Sequence, residues 1–258
     1  MPGPIVLVGS GEFTDAMAAI DRDLLAATGR ARPRVAILPT ASWPDGAATF
    51  ADWLDRGHAH FSALGAEVEG VELRTRPDAL DEAVAQAIGE ADLVYLSGGK
   101  PAHLLDALDG TPAAAALRGV HLRGGIIVGC SAGAMVLAAR QPRLRGRRFV
   151  RFPGGWRDGL GFVEGVAVLP HYDAFPEPIA ALLALAPRRR AALIGIDEET
   201  AAIEQAGTWL VRGRGRVTVW RGRSRTRHRD GESFRLGADP AADLAADPVP
   251  PDEGLSRP

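Results

Sequence analysis

The sequence predicts an α/β fold: a doubly wound, mostly parallel sheet with helices on both faces, and a C-terminal β-hairpin. Short segments that are apolar throughout alternate with longer stretches rich in Ala and Leu. This alternation is typical of parallel strands buried between two helical layers. The chain has 258 residues, 46% of them hydrophobic, which is enough for one large domain with a sizeable core.

Each strand is predicted where a short apolar run ends at a turn of small, polar or proline residues. These runs are residues 4–8, 34–38, 68–73, 92–96, 125–128, 166–169 and 193–196. Helical patterns occupy the stretches near residues 14–28, 45–64, 79–89, 101–108, 113–122 and 176–187, and another helix follows Ser131.

The second half of the chain differs in composition and in its predicted elements. Residues 141–161 are rich in Arg and Gly and predict an irregular loop. Residues 209–212 and 216–220, joined by a Gly-Arg-Gly turn, predict a β-hairpin. The Ala-, Asp- and Pro-rich residues 237–258 predict a disordered tail, which leaves residues 1–236 as a single α/β domain.

Composition excludes several classes of protein. The formal net charge of −2 disfavours a globally basic nucleic-acid binder. The single cysteine, Cys130, excludes an intramolecular disulfide framework and any multi-cysteine metal site. No apolar run reaches about eighteen residues and no signal-peptide pattern is present, so we expect a cytoplasmic protein that contacts no membrane. Association into a homodimer stays open.

Three predicted strands end in glycine-rich polar turns, at residues 9–12, 97–99 and 129–131. Ligand sites of such sheets lie outside the carboxyl ends of the strands, so these turns predict the active face. The last turn continues as Gly129-Cys130-Ser131-Ala132-Gly133, a G-x-S-x-G pattern between a buried strand and a helix. This pattern is typical of a nucleophile elbow, in which Ser131 attacks and the Ala132 N–H faces the oxyanion.

Two alternatives to a serine nucleophile stay open at this stage. The turn could be a serine N-cap or a phosphate-binding loop without catalysis. Cys130 could attack instead, although the glycine spacing centres on Ser131 and favours a packing role for the thiol.

A serine nucleophile needs a base, and His171 is the candidate because it directly follows the apolar strand at 166–169. The other five histidines lie in helical stretches or among arginines: His58, His60, His103, His121 and His228. The orienting carboxylate is expected just after the next strand, at Asp197, Glu198 or Glu199. Asp158 and Asp173 are outside candidates.

Four segments together resemble the peptidase E and cyanophycinase family of serine peptidases, which have a class I glutamine amidotransferase-like fold. They keep the family's order and rough spacing over residues 5–220, and they are residues 97–99, 129–134, 170–172 and 195–201. The resemblance implies that Ser131 is the nucleophile, His171 the general base and Glu198 the orienting acid. It also implies that the backbone N–H groups of Gly99 and Ala132 bind the oxyanion.

The family resemblance further implies hydrolysis of small peptides or of β-linked aspartyl–arginine polymers, without metal or other cofactor. Pro101 and Leu169-Pro170 depart from the cyanophycinase-like pattern, so we expect a peptidase of the dipeptidase type that takes a small peptide. An acidic substrate needs a cationic partner. The candidate substrate-binding residues are Gly98, Lys100 and Arg140, with Arg143 and Arg151 also close to the elbow in sequence.

Three rival functions remain. An α/β-hydrolase esterase would use Ser131, Glu198 and His228 in that chain order. A catalytically degenerate amidotransferase-like domain would bind a small acidic ligand or a protein partner. Arginines repeated with a period of two could line one face of the predicted hairpin and contact phosphates, although we expect no nucleic-acid binding. These are Arg212, Arg214, Arg216, Arg221, Arg223, Arg225, Arg227 and Arg229, beside Trp209 and Trp220.

Overall fold

The computed structural model describes residues 1–142, 155–185 and 192–236. The predicted tail, residues 237–258, and most of the predicted loop at 141–161 lie outside these residues. None of the helices in the described ranges combines the length and the apolar composition that a bilayer-spanning segment requires.

The described residues form two sheets and a set of helices. The strands are β1 Ile5–Val8, β2 Arg34–Leu38, β3 Glu67–Gly70, β4 Leu93–Leu96, β5 Ile126–Cys130, β6 Ala138–Pro142, β7 Trp156–Asp158, β8 Val163–Leu169, β9 Ala192–Ile196, β10 Thr200–Gln205, β11 Thr208–Gly213, β12 Arg216–Arg221, β13 Ser224–Arg229 and β14 Ser233–Arg235. The α-helices are α1 Ala18–Ala27, α2 Ala47–Ala63, α3 Arg76–Ala79, α4 Glu82–Gly89, α5 Pro101–Leu108, α6 Pro112–Leu122, α7 Ala132–Leu137 and α8 Glu177–Leu185. Short 3₁₀ helices cover Thr40–Asp45 and Tyr172–Ala174.

The larger sheet has the predicted doubly wound core. Its strand order is β14-β11-β10-β1-β5-β4-β2-β3, and the five strands from β1 to β3 in that order are parallel. Side chains alternate between two helical layers because successive residues of a strand point to opposite faces. Ile5 and Leu7 join the cluster that includes Leu104 of α5, whereas Val6 and Val8 join the cluster that includes Phe61 of α2. The predicted fold class is confirmed.

The second sheet follows the elbow and was not foreseen as a separate layer. Its order is β13-β12-β9-β8-β6-β7, in which β6, β8 and β9 are parallel and the other pairings are antiparallel. Val166, Val168 and Ile194 belong to the same core cluster as the helices of the first sheet. The opposite face packs on α8, where Leu169, Leu183 and Trp220 form a smaller cluster.

The chain has a C-terminal hairpin as predicted, but residues 209–212 and 216–220 do not pair with each other to form it. β11 pairs with β10 and β14 in the first sheet, whereas β12 pairs with β9 and β13 in the second, so the hairpin is β12–β13. Gly213 between the two strands has φ +121°, and a Cβ there would lie 2.3 Å from the Glu199 carbonyl oxygen. The chain therefore crosses closely past residue 199 from one sheet to the other.

The irregular loop predicted at 141–161 is wrong at residues 141–142 and 156–158, which belong to strands β6 and β7. β6 and β7 pair antiparallel, with Arg140 opposite Asp158 and Gln141 opposite Arg157. The helix predicted after Ser131 is also shorter than its sequence pattern indicates, because Ala138 already begins β6. The early change to strand places the second sheet directly beside the elbow.

Candidate active site

The elbow depends on two glycines that no side chain could replace without movement. A Cβ on Gly129 would lie 2.5 Å from the Gly133 carbonyl carbon, and a Cβ on Gly133 would lie 2.3 Å from the Leu96 carbonyl oxygen. This close packing allows α7 to begin directly at the end of β5. Ser131 sits at the turn with φ +48° and ψ −103°, a conformation that non-glycine residues rarely adopt.

The predicted serine, histidine and carboxylate lie in series at this turn. Ser131 Oγ is 3.0 Å from His171 Nε2, and His171 Nδ1 is 2.7 Å from Glu198 Oε1. With the proton on Nδ1, the imidazole donates to Glu198 and accepts from the serine hydroxyl. Such an arrangement can remove the hydroxyl proton during nucleophilic attack.

His171 is held by its neighbours in the second sheet. The residue follows β8 and has φ +51°, which turns the chain sharply into the 3₁₀ helix at Tyr172–Ala174. Tyr172 lies over Gly195, where a Cβ would come within 2.2 Å of the ring, and its hydroxyl accepts a 2.8 Å hydrogen bond from Trp220 Nε1. The anchored tyrosine fixes the backbone that carries the imidazole.

The structure distinguishes Glu198 from the other acidic candidates. Asp197 is buried and accepts from the Arg216 backbone N–H at 2.9 Å, and burial raises the pKa of this carboxyl group. Glu199 forms an ion pair with Arg214 at 2.8 Å. Asp173 accepts from the Glu198 backbone N–H at 3.0 Å and so holds the segment that carries Glu198.

A pocket of about 300 Å³ opens beside Ser131. Its lining residues are Gly99, Pro101, Ser131, Ala132, Met135, Leu169, Pro170, His171 and Phe175. Gly99 has φ +140° and packs so closely on Ala41 that a Cβ would lie 2.3 Å from the Ala41 carbonyl oxygen. The lining thus includes Ser131 and both residues whose N–H groups are the predicted oxyanion donors, Gly99 and Ala132.

The sequence profile of Peptidase family S51 matches residues 5–209. This chain belongs to peptidase family S51. The family is one of hydrolases with a class I glutamine amidotransferase-like fold, which agrees with the resemblance drawn from the four segments.

Several known proteins are similar to this chain to different extents. Cyanophycinases from Trichormus variabilis and from a Nostoc species are each 30% identical over 167 residues, which is 62% of this chain and 55% of theirs. The chain thus matches about half the length of these cyanophycinases. The crystal structure of a peptidase from an acI-B1 Actinobacterium has a TM-score of 0.80 and 31% identity, covering 91% of this chain and 97% of that one. A candidate peptidase E from Listeria monocytogenes shares the fold at 17% identity, with a TM-score of 0.59 over 83% of this chain and 100% of that one.

Three predicted substrate-binding residues of this S51 chain lie outside the pocket wall. Gly98 is buried and donates its N–H to Glu12 Oε1 at 2.8 Å, so it does not face the pocket. Lys100 pairs with Asp45 at 3.0 Å, and Arg140 pairs with Asp158 at 3.6 Å. The two further candidates, Arg143 and Arg151, lie outside the described residues.

Beneath the S51 elbow lies a buried carboxylate that sequence reasoning missed. The Cys130 thiol is fully buried and donates to Glu12 Oε2 at 2.8 Å, while Glu12 Oε1 accepts from Gly98. Burial, reinforced by the adjacent Glu12, raises the pKa of Cys130 well above its ordinary value. The thiol therefore stays protonated and faces the core, which argues against it as the nucleophile. The available signal was the position of Glu12 at the end of the first strand, in a turn already predicted to face the site.

Three of the other histidines have partners elsewhere in the S51 fold. His60 Nε2 lies 2.8 Å from Asp21 Oδ2, and His103 Nε2 lies 2.7 Å from the Arg74 carbonyl oxygen. His228 stacks on Phe234 at 4.5 Å, and burial lowers its pKa, so its setting is less solvated than its arginine neighbours predict. Within the described ranges, no three His, Cys, Asp or Glu side chains are arranged to hold a metal ion.

The arginines of residues 212–229 do not share one face. Arg212 of β11, in the first sheet, contacts Asp23 of α1 and Asp230 in the turn after β13. Arg225 and Arg227 both pair with Glu177 of α8, in the second sheet. These three arginines belong to two separate sheets and each pairs with a nearby carboxylate, so they do not form the continuous basic stripe of the rival interpretation.

Proposed function

We propose that this protein is a serine peptidase that hydrolyses an amide bond of a small peptide through an acyl-enzyme on Ser131. The observation that carries the proposal is the series from Ser131 Oγ to His171 Nε2 at 3.0 Å and from His171 Nδ1 to Glu198 Oε1 at 2.7 Å. Membership of a peptidase family supports the same reaction class.

In the proposed mechanism, His171 Nε2 accepts the Ser131 proton as the hydroxyl oxygen attacks the substrate carbonyl carbon. The tetrahedral intermediate collapses when the C–N bond breaks and the departing amine takes that proton from His171. A water molecule then attacks the ester carbonyl with His171 again as the base, the bond between the acyl carbon and Ser131 Oγ breaks, and the serine oxygen takes the proton back from His171 as the acid is released. Glu198 keeps the imidazole in the required tautomer and stabilises its charged form.

Two backbone N–H groups are proposed to stabilise the oxyanion. Gly99 and Ala132 line the pocket together with Ser131, and Ala132 is the first residue of α7. The first N–H groups of a helix have no intrahelical acceptor and lie at the positive end of the helix dipole. Donors of this kind are worth about 10²–10³-fold in turnover each.

The described wall of the pocket favours an apolar group next to the scissile bond. Met135, Leu169 and Phe175 contribute apolar side chains, and none of the described lining residues carries a permanent charge. A buried aspartyl side chain is costly without a cationic partner. The choice between an apolar residue and an aspartyl residue beside the scissile carbonyl is therefore the most informative substrate comparison.

A combined labelling and hydrolysis experiment tests the proposal. The wild-type chain and S131A are incubated with a fluorophosphonate probe and with dipeptides that include Leu-X, Asp-X and β-Asp-Arg. We expect labelling and hydrolysis by wild type alone, with S131A retaining its melting temperature because a small polar side chain at the surface of the pocket is truncated. If S131A hydrolysed the dipeptides at the wild-type rate, Ser131 would be excluded as the nucleophile. Absence of labelling in a folded wild-type protein that still binds a dipeptide would instead favour a catalytically degenerate binding domain.

A further inference from the structure

Glu12 connects the two loops that carry the candidate oxyanion donors. Its side chain is only 8% exposed, and its two oxygens accept from the Gly98 N–H and the Cys130 thiol, each at 2.8 Å. Gly98 directly precedes Gly99, and Cys130 directly precedes Ser131. One carboxylate thus joins segments that are 86 and 118 residues away in the chain.

The packing around this carboxylate leaves little room for movement. A Cβ on Gly98 would lie 2.7 Å from Glu12 Oε1 and 3.4 Å from Ser131 Cβ. The space beside the Gly98 Cα is therefore filled by Glu12, and the candidate nucleophile lies against the same position. A shift of the carboxylate would change the spacing between the turn at residues 97–99 and the elbow.

The backbone on both sides of Glu12 adopts conformations that non-glycine residues rarely take. Gly11 has φ +87° and Phe13 has φ +62°, and positive φ is uncommon for a bulky residue such as phenylalanine. The Phe13 ring packs on Tyr95, with ring centroids 4.9 Å apart. Burial of a carboxylate is also unfavourable in itself. Both costs are explained if the position of the Glu12 side chain serves the adjacent site.

We propose that Glu12 is a positioning residue, which fixes the turn at residues 97–99 against the elbow so that the N–H groups of Gly99 and Ala132 converge on one oxyanion. This inference rests on the proposed peptidase function and adds to it a residue that never touches the substrate. Correct spacing of the two donors stabilises the transition state much more than the bound substrate. Loss of Glu12 should therefore lower kcat and leave KM nearly unchanged.

Three substitutions separate positioning from packing. E12Q keeps a carbonyl oxygen that accepts from Gly98, and its amide group can face the Cys130 sulfur. E12M has a similar volume and no such acceptor, so the Gly98 N–H loses its partner. E12D keeps the charge but is one methylene shorter, so it reaches Gly98 less well.

The measurements are kcat and KM on the best dipeptide, the inhibition constant of a peptide aldehyde that adds to Ser131, and the melting temperature. We expect E12Q to lose less than about 10-fold in kcat and E12M about 10²-fold, with KM within about threefold. E12D should fall between them. The aldehyde should bind E12M more weakly by nearly the same factor as the loss in kcat/KM, because its tetrahedral adduct uses the same donors.

The outcomes separate this inference from the function on which it rests. An inactive, unlabelled wild-type protein would overturn both. An active wild type together with a folded E12M of equal kcat/KM would overturn only the role of Glu12. Equal losses in E12Q and E12M that follow their melting temperatures would indicate a purely structural role and would also overturn it. If E12M does not fold, E12D is compared with E12Q instead. An activity of E12D equal to or above that of E12Q would also overturn the role of Glu12.

Discussion

Cys130 and Ser131 are neighbours in sequence, but their side chains face opposite environments. Cys130 closes β5, is fully buried, and donates its thiol hydrogen to Glu12 in the core. Ser131 lies one residue further on at φ +48°, and its hydroxyl contacts His171 on the wall of an open pocket. The sharp turn separates a core side from a pocket side within a single peptide unit.

The difference between the two sides shows that position, more than intrinsic reactivity, determines which group can react. A thiol is the better nucleophile in solution, but only as the thiolate. Burial raises the pKa of Cys130 and keeps it protonated, whereas the His171 imidazole lies within hydrogen-bond distance of the Ser131 hydroxyl. The weaker nucleophile therefore has the access and the proton acceptor that the stronger one lacks.

The largest effect is expected when the pocket side loses its base. H171A should reduce kcat/KM for the best dipeptide by about 10²–10⁴-fold, because Ser131 then has no proton acceptor. H228A is the matched control, since His228 stacks on Phe234 in the C-terminal hairpin, and it should remain within about twofold of wild type. Steady-state kinetics on both variants provide the measurement. A severe loss in H228A with an active H171A would favour the α/β-hydrolase chain order.

A smaller effect on the same side is expected at the carboxylate. Glu198 accepts from His171, whereas the adjacent Glu199 pairs with Arg214. E198Q should reduce kcat by about 10–10²-fold, less than in enzymes whose orienting acid is fully buried, because the Glu198 side chain is 49% exposed. E199Q should change kcat less than threefold. Both variants are measured at one pH with the same dipeptide. The reverse ranking would show that Glu199, and not Glu198, is the orienting acid.

Sequence patterns predicted those parts of the molecule that depend on local contacts. The helix at residues 101–108 agrees with α5 at both ends, and its start is marked by Pro101 at the first helical position. The elbow was predictable because Gly129 and Gly133 contact each other within one turn of chain. The start of α5 and the elbow both depend only on residues that are close together in the sequence, so the sequence pattern alone could predict them.

Features that depend on distant segments were predicted less well. The arginine period of two indicated one hairpin face, but the close approach of Gly213 to residue 199 separates β11 from β12 into different sheets. Alternation alone could not choose Glu198, because the choice depends on Arg216 and Arg214 holding its two neighbours. Glu12 was missed because its partners lie far away in the sequence, Gly98 in the turn after β4 and Cys130 at the end of β5.

The core side of the elbow should show the smallest effect on turnover and a distinct effect on stability. C130S retains a hydroxyl that can donate to Glu12, so turnover should fall far less than in H171A. C130A leaves Glu12 Oε2 without that donor and should reduce the free energy of unfolding by about 1–2 kcal/mol relative to C130S, as measured by urea denaturation.

Because the folded chain raises the thiol pKa, the contribution of Cys130 to stability is present below the ordinary pKa of about 8.5 and is lost as the pH rises above it. The stability of wild type relative to C130S should therefore decline at alkaline pH. Iodoacetamide should modify Cys130 only after unfolding, whereas rapid modification of the native chain with loss of hydrolysis would place the thiol on the pocket side.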